Sequence, residues 1–210
     1  MNNHQNFNLY ILGGISGIVG TICYVIAITI PMSPIITYMM AMSWPILSIV
    51  FVFSLYRYIA IYKQSAYNQL ALLMACLAFA MVAMMISIQL SVRFGINEYI
   101  SNSSNSEQEI LRVMQNSIRL VDMGLDVSWD LFIGISLIFL SIVLKGNKSF
   151  GLWWSLPAVM LGIMLIVLNV ITFPWPPDTQ GLIDIGPAIG LYIIALSTRL
   201  LSLGLKMKRL

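Results

Sequence analysis

Six long apolar runs, at residues 9–30, 36–56, 69–90, 125–144, 152–173 and 181–198, dominate the chain and are separated by short breaks rich in proline, glycine and polar residues. A hydrocarbon layer about 30 Å thick takes about 20 helical residues to cross, and each run is close to that length. Each is also far too long for a barrel strand and does not alternate strictly, so helices are the spanning elements the pattern predicts. The expected fold is all-α, a six-transmembrane-helix bundle forming a single polytopic membrane domain over residues 1–210. The break at residues 93–124 is long enough to hold structure of its own. Within it Ser106 and Glu109 fit a capping box, and Ile110, Val113, Met114, Ile118, Val121 and Leu125 follow at helical spacing. This predicts an amphipathic external helix between spans three and four, either lying against the membrane surface or continuing straight into span four.

Composition agrees with the pattern, since 59% of residues are hydrophobic, 9% are charged and the mean hydropathy is +0.89. Soluble domains carry about a quarter charged residues. No basic residue precedes the first apolar run and no small-residue cleavage site follows it, so the first span is expected to stay in place. Arg57 and Lys63 follow span two, Lys145 and Lys148 follow span four, and Arg199, Lys206, Lys208 and Arg209 follow span six. The positive-inside rule assigns these segments, and with them both termini, to the cytoplasm. The eight acidic residues then fall on the opposite side. Cys23 and Cys76 lie at different depths in separate spans and read as small packing residues, and Trp129, Trp153, Trp154 and Trp175 suit an interfacial belt. Gly13, Gly17 and Thr21 in span one, with Gly186 and Gly190 in span six, predict close helix approach inside the bundle.

The stretch DMGLDVSWD, Asp122 to Asp130, is harder to account for. The uncharged run Leu131 to Leu144 is only 14 residues, so span four must draw in Asp130; Ile185 to Thr198 is again 14, so span six sits just as close to Asp184. Asp130 lies fifteen positions before Lys145 and Asp184 fifteen before Arg199, which puts two carboxylates at similar depth. Arg119, Asp122, Asp126 and Asp130 occupy one stripe of a helix. An ionised Asp facing lipid at mid-membrane costs about 2.5 to 3.5 kcal/mol, so the stripe is expected to face protein or water. With Gln89, Arg93 and Asn169 at the same ends of neighbouring spans, an acidic polar pocket opening outward follows. The structural alternative is that Asp130 favours the positive end of a helix and that Asp184 caps span six.

No pattern for catalysis, metal or cofactor binding stands out. His4 is the sole histidine, nucleotide-binding and nucleophile-elbow signatures are absent, and the fourteen methionines read as adaptable packing. The basic tail reads as a topology determinant, so no nucleic-acid partner is expected. LDVSWDLFIGISLIF, followed by LIVLNVITFPWPPDTQGLIDIGPAIGLY, resembles small bacterial integral membrane proteins of unassigned function that carry a WD…N-x-x-TFP-x-PP…GL-x-D-x-GP segment. The resemblance implies a bacterial cytoplasmic membrane location and places Asp130, Asn169, Pro174, Asp184 and Pro187 in the motif. The expected role is non-enzymatic: binding of a small polar or cationic ligand, for sensing or transport, by Asp126, Asp130, Asp184, Asn169, Gln89 and Arg93. Two alternatives stand beside it. One is an enzyme acting on lipid or isoprenoid head groups, with Asp130 as base and Arg93 holding phosphate; the other is an assembly protein that docks a partner through residues 107–121. Besides the ligand, the bilayer is the expected partner.

Overall fold

The computed structural model describes residues 3–62 and 64–208. Lys63 and Arg209, and the side chains of His4 and Asp178, lie outside the described residues. The chain forms α1 (Asn3–Thr29), α2 (Pro34–Tyr62), α3 (Ala66–Ser91), a π-helical turn (Val92–Ile96), α4 (Asn97–Asn102), α5 (Asn105–Lys145), α6 (Leu152–Thr172), a 3₁₀ turn (Pro177–Gln180) and α7 (Gly186–Lys208). No strand occurs among the described residues. Six of these helices are long and apolar enough to cross a membrane. Helices satisfy every backbone group within the segment, which is the condition for stability where water is absent. The outer surface agrees: Ile35, Met39, Met160, Ile163, Val170 and Leu191 are all exposed.

The predicted spans match α1 to α3 and α6 closely; span six differs. Residues 181–185 are not helical and α7 begins at Gly186, five residues later than the apolar run. Asp184 precedes the helix and accepts a hydrogen bond from the Gly186 N–H at 2.7 Å, so its carboxylate meets the positive end of α7.

Residues 107–121 are helical but do not form a separate element. They belong to α5, a single helix of 41 residues. At 1.5 Å per residue it is about 60 Å long, twice the thickness of a hydrocarbon core. Its start also corrects the expected cap. Ser104, not Ser106, precedes the first turn, and the Glu107 carboxylate accepts bonds from the Ser104 N–H at 2.9 Å and the Ser104 hydroxyl at 2.6 Å. Both Ser104-x-x-Glu107 and Ser106-x-x-Glu109 fit the motif; the earlier one gains half a turn of backbone bonding. These bonds hold the Glu107 carboxyl below its ordinary range.

Neighbouring helices follow the order α1–α2–α3–α5–α6, while α7 packs chiefly on α1 and touches α6 only sparsely. Glycine sets the closest approaches. A Cβ on Gly162 would sit 2.6 Å from the Gly134 carbonyl, so α5 and α6 cross backbone to backbone. In α1 a Cβ at Gly13 would strike Ser54 of α2 and one at Gly17 would strike Ser197 of α7. The small face of span one therefore serves packing within the chain. Gly186 and Gly190 behave otherwise: a Cβ at Gly190 would meet nothing nearer than the Thr21 Cγ2 at 3.9 Å, and the atoms nearest to one at Gly186 belong to Asp184. Span six thus has no tight glycine face at that end.

The two ends of the bundle differ in chemistry. At the basic end Ser149, in the turn between α5 and α6, is held by the Tyr58 hydroxyl at 2.7 Å and its carbonyl accepts two bonds from the Arg199 guanidinium at 3.0 and 2.6 Å. The acidic end holds Asp122, Asp126, Asp130 and Asp184. Both cysteines are free, as their separate depths predict. Trp153 is 89% exposed and Trp175 39%, as a belt requires, but Trp129 is only 7% exposed and belongs to the core.

Candidate functional site

Because α5 is one unbroken helix, Asp122, Asp126 and Asp130 do form a continuous stripe, and the stripe turns inward. Its three carboxylates meet different surroundings. Asp122 accepts a bond from the Gln89 Nε2 of α3 at 3.1 Å. Asp126 and Asp130, one turn and two turns further along, line a cavity of about 520 Å³ at the acidic end of the bundle. That volume lies in the range of small-molecule sites.

Of the six residues expected to form a site, Asp126, Asp130, Asn169 and Asp184 line this one cavity. They arrive from three places: α5 supplies the first two, α6 supplies Asn169, and the segment leading into α7 supplies Asp184. Gln89 and Arg93 are not part of its lining. Gln89 is occupied by Asp122, and Arg93, beyond the end of α3 in the π-helical turn, stacks over the Phe94 ring at 5.5 Å. Both were placed in the site by depth alone, and depth does not say which way a side chain points around its helix.

Asp130 is 7% exposed and Asn169 2%. The Asn169 Nδ2 donates to the Asp130 Oδ2 at 2.7 Å and to the Leu165 carbonyl at 3.0 Å. A buried carboxylate requires such donors, since charge taken out of water without compensation is expensive. The Asn169 side chain thereby fixes the orientation of Asp130. Its own Oδ1 is buried and has no hydrogen-bond partner among the described residues.

Aromatic rings complete the wall. Tyr24 of α1 stacks on Trp44 of α2 with centroids 4.5 Å apart and planes at 27°, and Trp44 meets Trp129 of α5 edge to face at 6.2 Å. All three line the cavity beside the carboxylates. Tyr24 lies within electrostatic reach of both Asp126 and Asp184. The indole N–H groups of Trp44 and Trp129 are buried and make no hydrogen bond among the described residues. Buried indoles normally find an acceptor, so two unpaired donors and one unpaired carbonyl around a single cavity are unusual. Electron-rich ring faces together with carboxylates attract cations, and aromatic cages of this kind suit ammonium groups.

The tryptophans are what the sequence reading missed. Trp129 was given to the interfacial belt and Trp44 drew no attention, because a tryptophan near the end of a span has the same local sequence whether it faces lipid or the interior. The helical wheel was the available signal: at about 100° per residue Trp129 lies about 20° from Asp122, so a stripe that holds Asp122, Asp126 and Asp130 inside brings Trp129 to its edge.

No protein-family model matches the chain, no curated protein matches it, and no solved structure matches its fold.

Proposed function

We propose that this chain is a non-enzymatic, multi-pass protein that binds a small cationic ligand in the cavity lined by Asp126, Asp130, Asp184 and Asn169. The observation that carries this reading is the burial of Asp130, oriented by Asn169, in the same cavity wall as the unpaired indoles of Trp44 and Trp129. A buried carboxylate attracts positive charge, and the rings accept it without the strong hydration that water would give. The distribution of basic residues supports a cytoplasmic position for both termini, with the cavity facing outward. The C-terminal resemblance supports the bacterial cytoplasmic membrane as the location, and membership of that group of small membrane proteins. In this setting the site suits sensing or capture of the cation.

Tetramethylammonium chloride is the probe for this proposal, set against sodium chloride at equal ionic strength with protein in a non-ionic detergent. A saturating cation, at about a hundred times its Kd, raises stability by about 2.7 kcal/mol. Trp129→Leu is expected to weaken binding about 2- to 30-fold, the span of measured cation–π strengths, and Asp130→Asn by more. Equal thermal shifts in the wild type and both variants would refute the reading.

One further observation favours a protein partner as well. Ile110, Val113, Met114 and Val121 leave an apolar face on the N-terminal half of α5, each more than half exposed. Helical spacing puts them on one side, the face an assembly partner would cover. Crosslinking from a photoreactive residue at position 113 in whole cells tests this second reading; crosslinks to lipid alone would remove it. The enzymatic alternative needs Arg93 beside the acids, and Arg93 stands outside the cavity lining.

A further inference from the structure

The packing of α1 against α7 is tight from the basic end to the middle of the bundle and opens toward the acidic end. At the basic end a Cβ on Gly204 would lie 3.0 Å from Ile11, and on Gly14 2.6 Å from Leu201. One turn further along, Gly17 sits directly against Ser197. Beyond that the helices part: the nearest atom to a Cβ on Gly190 is the Thr21 Cγ2 of α1 at 3.9 Å, and the nearest atoms to one on Gly186 belong to Asp184 and not to α1. The cavity extends into this gap. Val25 and Ile28 of α1 and Leu191 of α7 line it and are also 48%, 62% and 70% exposed, so they belong at once to the cavity and to the lipid-facing surface. The inner wall carries the carboxylates and indoles, while the wall leading to the surface is apolar.

Resting on the cation-binding reading above, we infer that the ligand is an amphiphile: its cationic head group sits among Asp130, Asp126 and Trp129, and its hydrocarbon chain lies in the α1–α7 gap, which it enters sideways from the bilayer. A polar ligand arriving from water would gain nothing from an apolar channel at membrane depth. A chain threaded between Val25, Ile28 and Leu191 remains in surroundings as apolar as the lipid it left. The unpaired indole N–H groups and the Asn169 Oδ1 add donors and an acceptor for polar atoms on the head group. Glycine at positions 186 and 190 leaves room in this part of α7, between Pro187 and Leu191.

The test compares tetramethylammonium with dodecyltrimethylammonium, both bound to the full chain in lipid nanodiscs, by competition and by thermal stability. Gly190→Leu fills the gap, and Val25→Trp narrows it from the opposite helix; both residues line the cavity on its apolar wall, and neither is among those assigned to the head group. In the wild type both cations are expected to bind and to compete. In each variant dodecyltrimethylammonium binding should fall at least tenfold while tetramethylammonium binding stays within twofold. Should both cations bind variants and wild type alike, the sideways route is wrong and the cation site stands. Should neither cation bind the wild type, the cation-binding reading itself fails. Retained tetramethylammonium binding in Gly190→Leu also reports that the variant is folded, so a loss confined to the long-chain cation is not a folding defect.

Discussion

The bond between Asn169 and Asp130 gives the sharpest quantitative expectation. Asn169→Ala removes the 2.7 Å donor to a carboxylate that is 7% exposed, leaving the charge with less compensation. Hydrogen bonds to charged groups contribute about 1.5 to 3 kcal/mol, and truncating a side chain that is 2% exposed adds a small cavity term of the same sign. A total loss of about 2 to 4 kcal/mol should lower Tm by about 4 to 16 °C for a chain of this size. The single variant does not separate the bond from the cavity, but a double-mutant cycle does. With Asp130→Ala and Asn169→Ala measured alone and together by thermal or denaturant unfolding in one detergent, the coupling should be about 1.5 to 3 kcal/mol. Additivity within about 0.5 kcal/mol would mean that Asn169 does not compensate Asp130, and the account of how the carboxylate is held inside the bundle would be wrong.

Other expectations follow from single features. Gly162→Ala puts a methyl 2.6 Å from the Gly134 carbonyl and should destabilise the α5–α6 crossing by about 1 to 3 kcal/mol, whereas Gly124→Ala, with open space around it, should be neutral or stabilising by up to about 1 kcal/mol; similar Tm values for the two would contradict the packing described. Glu107 has its carboxyl lowered by its bonds to Ser104, so its contribution to the first turn of α5 is complete above the ordinary carboxylate range and is lost as pH falls through the lowered value. Amide exchange in that turn should accordingly accelerate on acidification, and Glu107→Gln should remove most of that pH dependence. Trp44→Phe keeps one aromatic ring against Tyr24 and removes the N–H with the second ring of the indole; retained tetramethylammonium affinity would show that an aromatic face suffices there, and a large loss that the full indole face is needed.

What the sequence made legible was what lipid makes compulsory. Apolar runs of span length had to be helices, and the acids of α5 could not face acyl chains, so the inward stripe and the meeting of Asp126, Asp130, Asp184 and Asn169 at one cavity were open to argument from depth and helical angle alone. Gln89 and Arg93 show the limit of that argument. They lie at a suitable depth, but Asp122 engages the first and the second sits past the end of α3, where a π-helical turn changes the rotation of everything after it. The parting of α1 and α7 was hidden for a related reason. Glycines in both helices suggested close approach throughout, and only the pairing of each glycine with a particular partner distinguishes a tight seam at Gly17 from an open one at Gly190.

The fastening around Ser149 has a bearing on what kind of device this is. Tyr58, Arg199 and the turn joining α5 to α6 are bolted together on the basic side, and the glycine seam between α1 and α7 is shut on the same side. On the proposed reading a ligand beside Asp130 would therefore come and go at the acidic end or through the parted α1–α7 seam, and not through the basic side. A bundle fastened at one end in this way leaves its looser packing at the other, where the carboxylates lie.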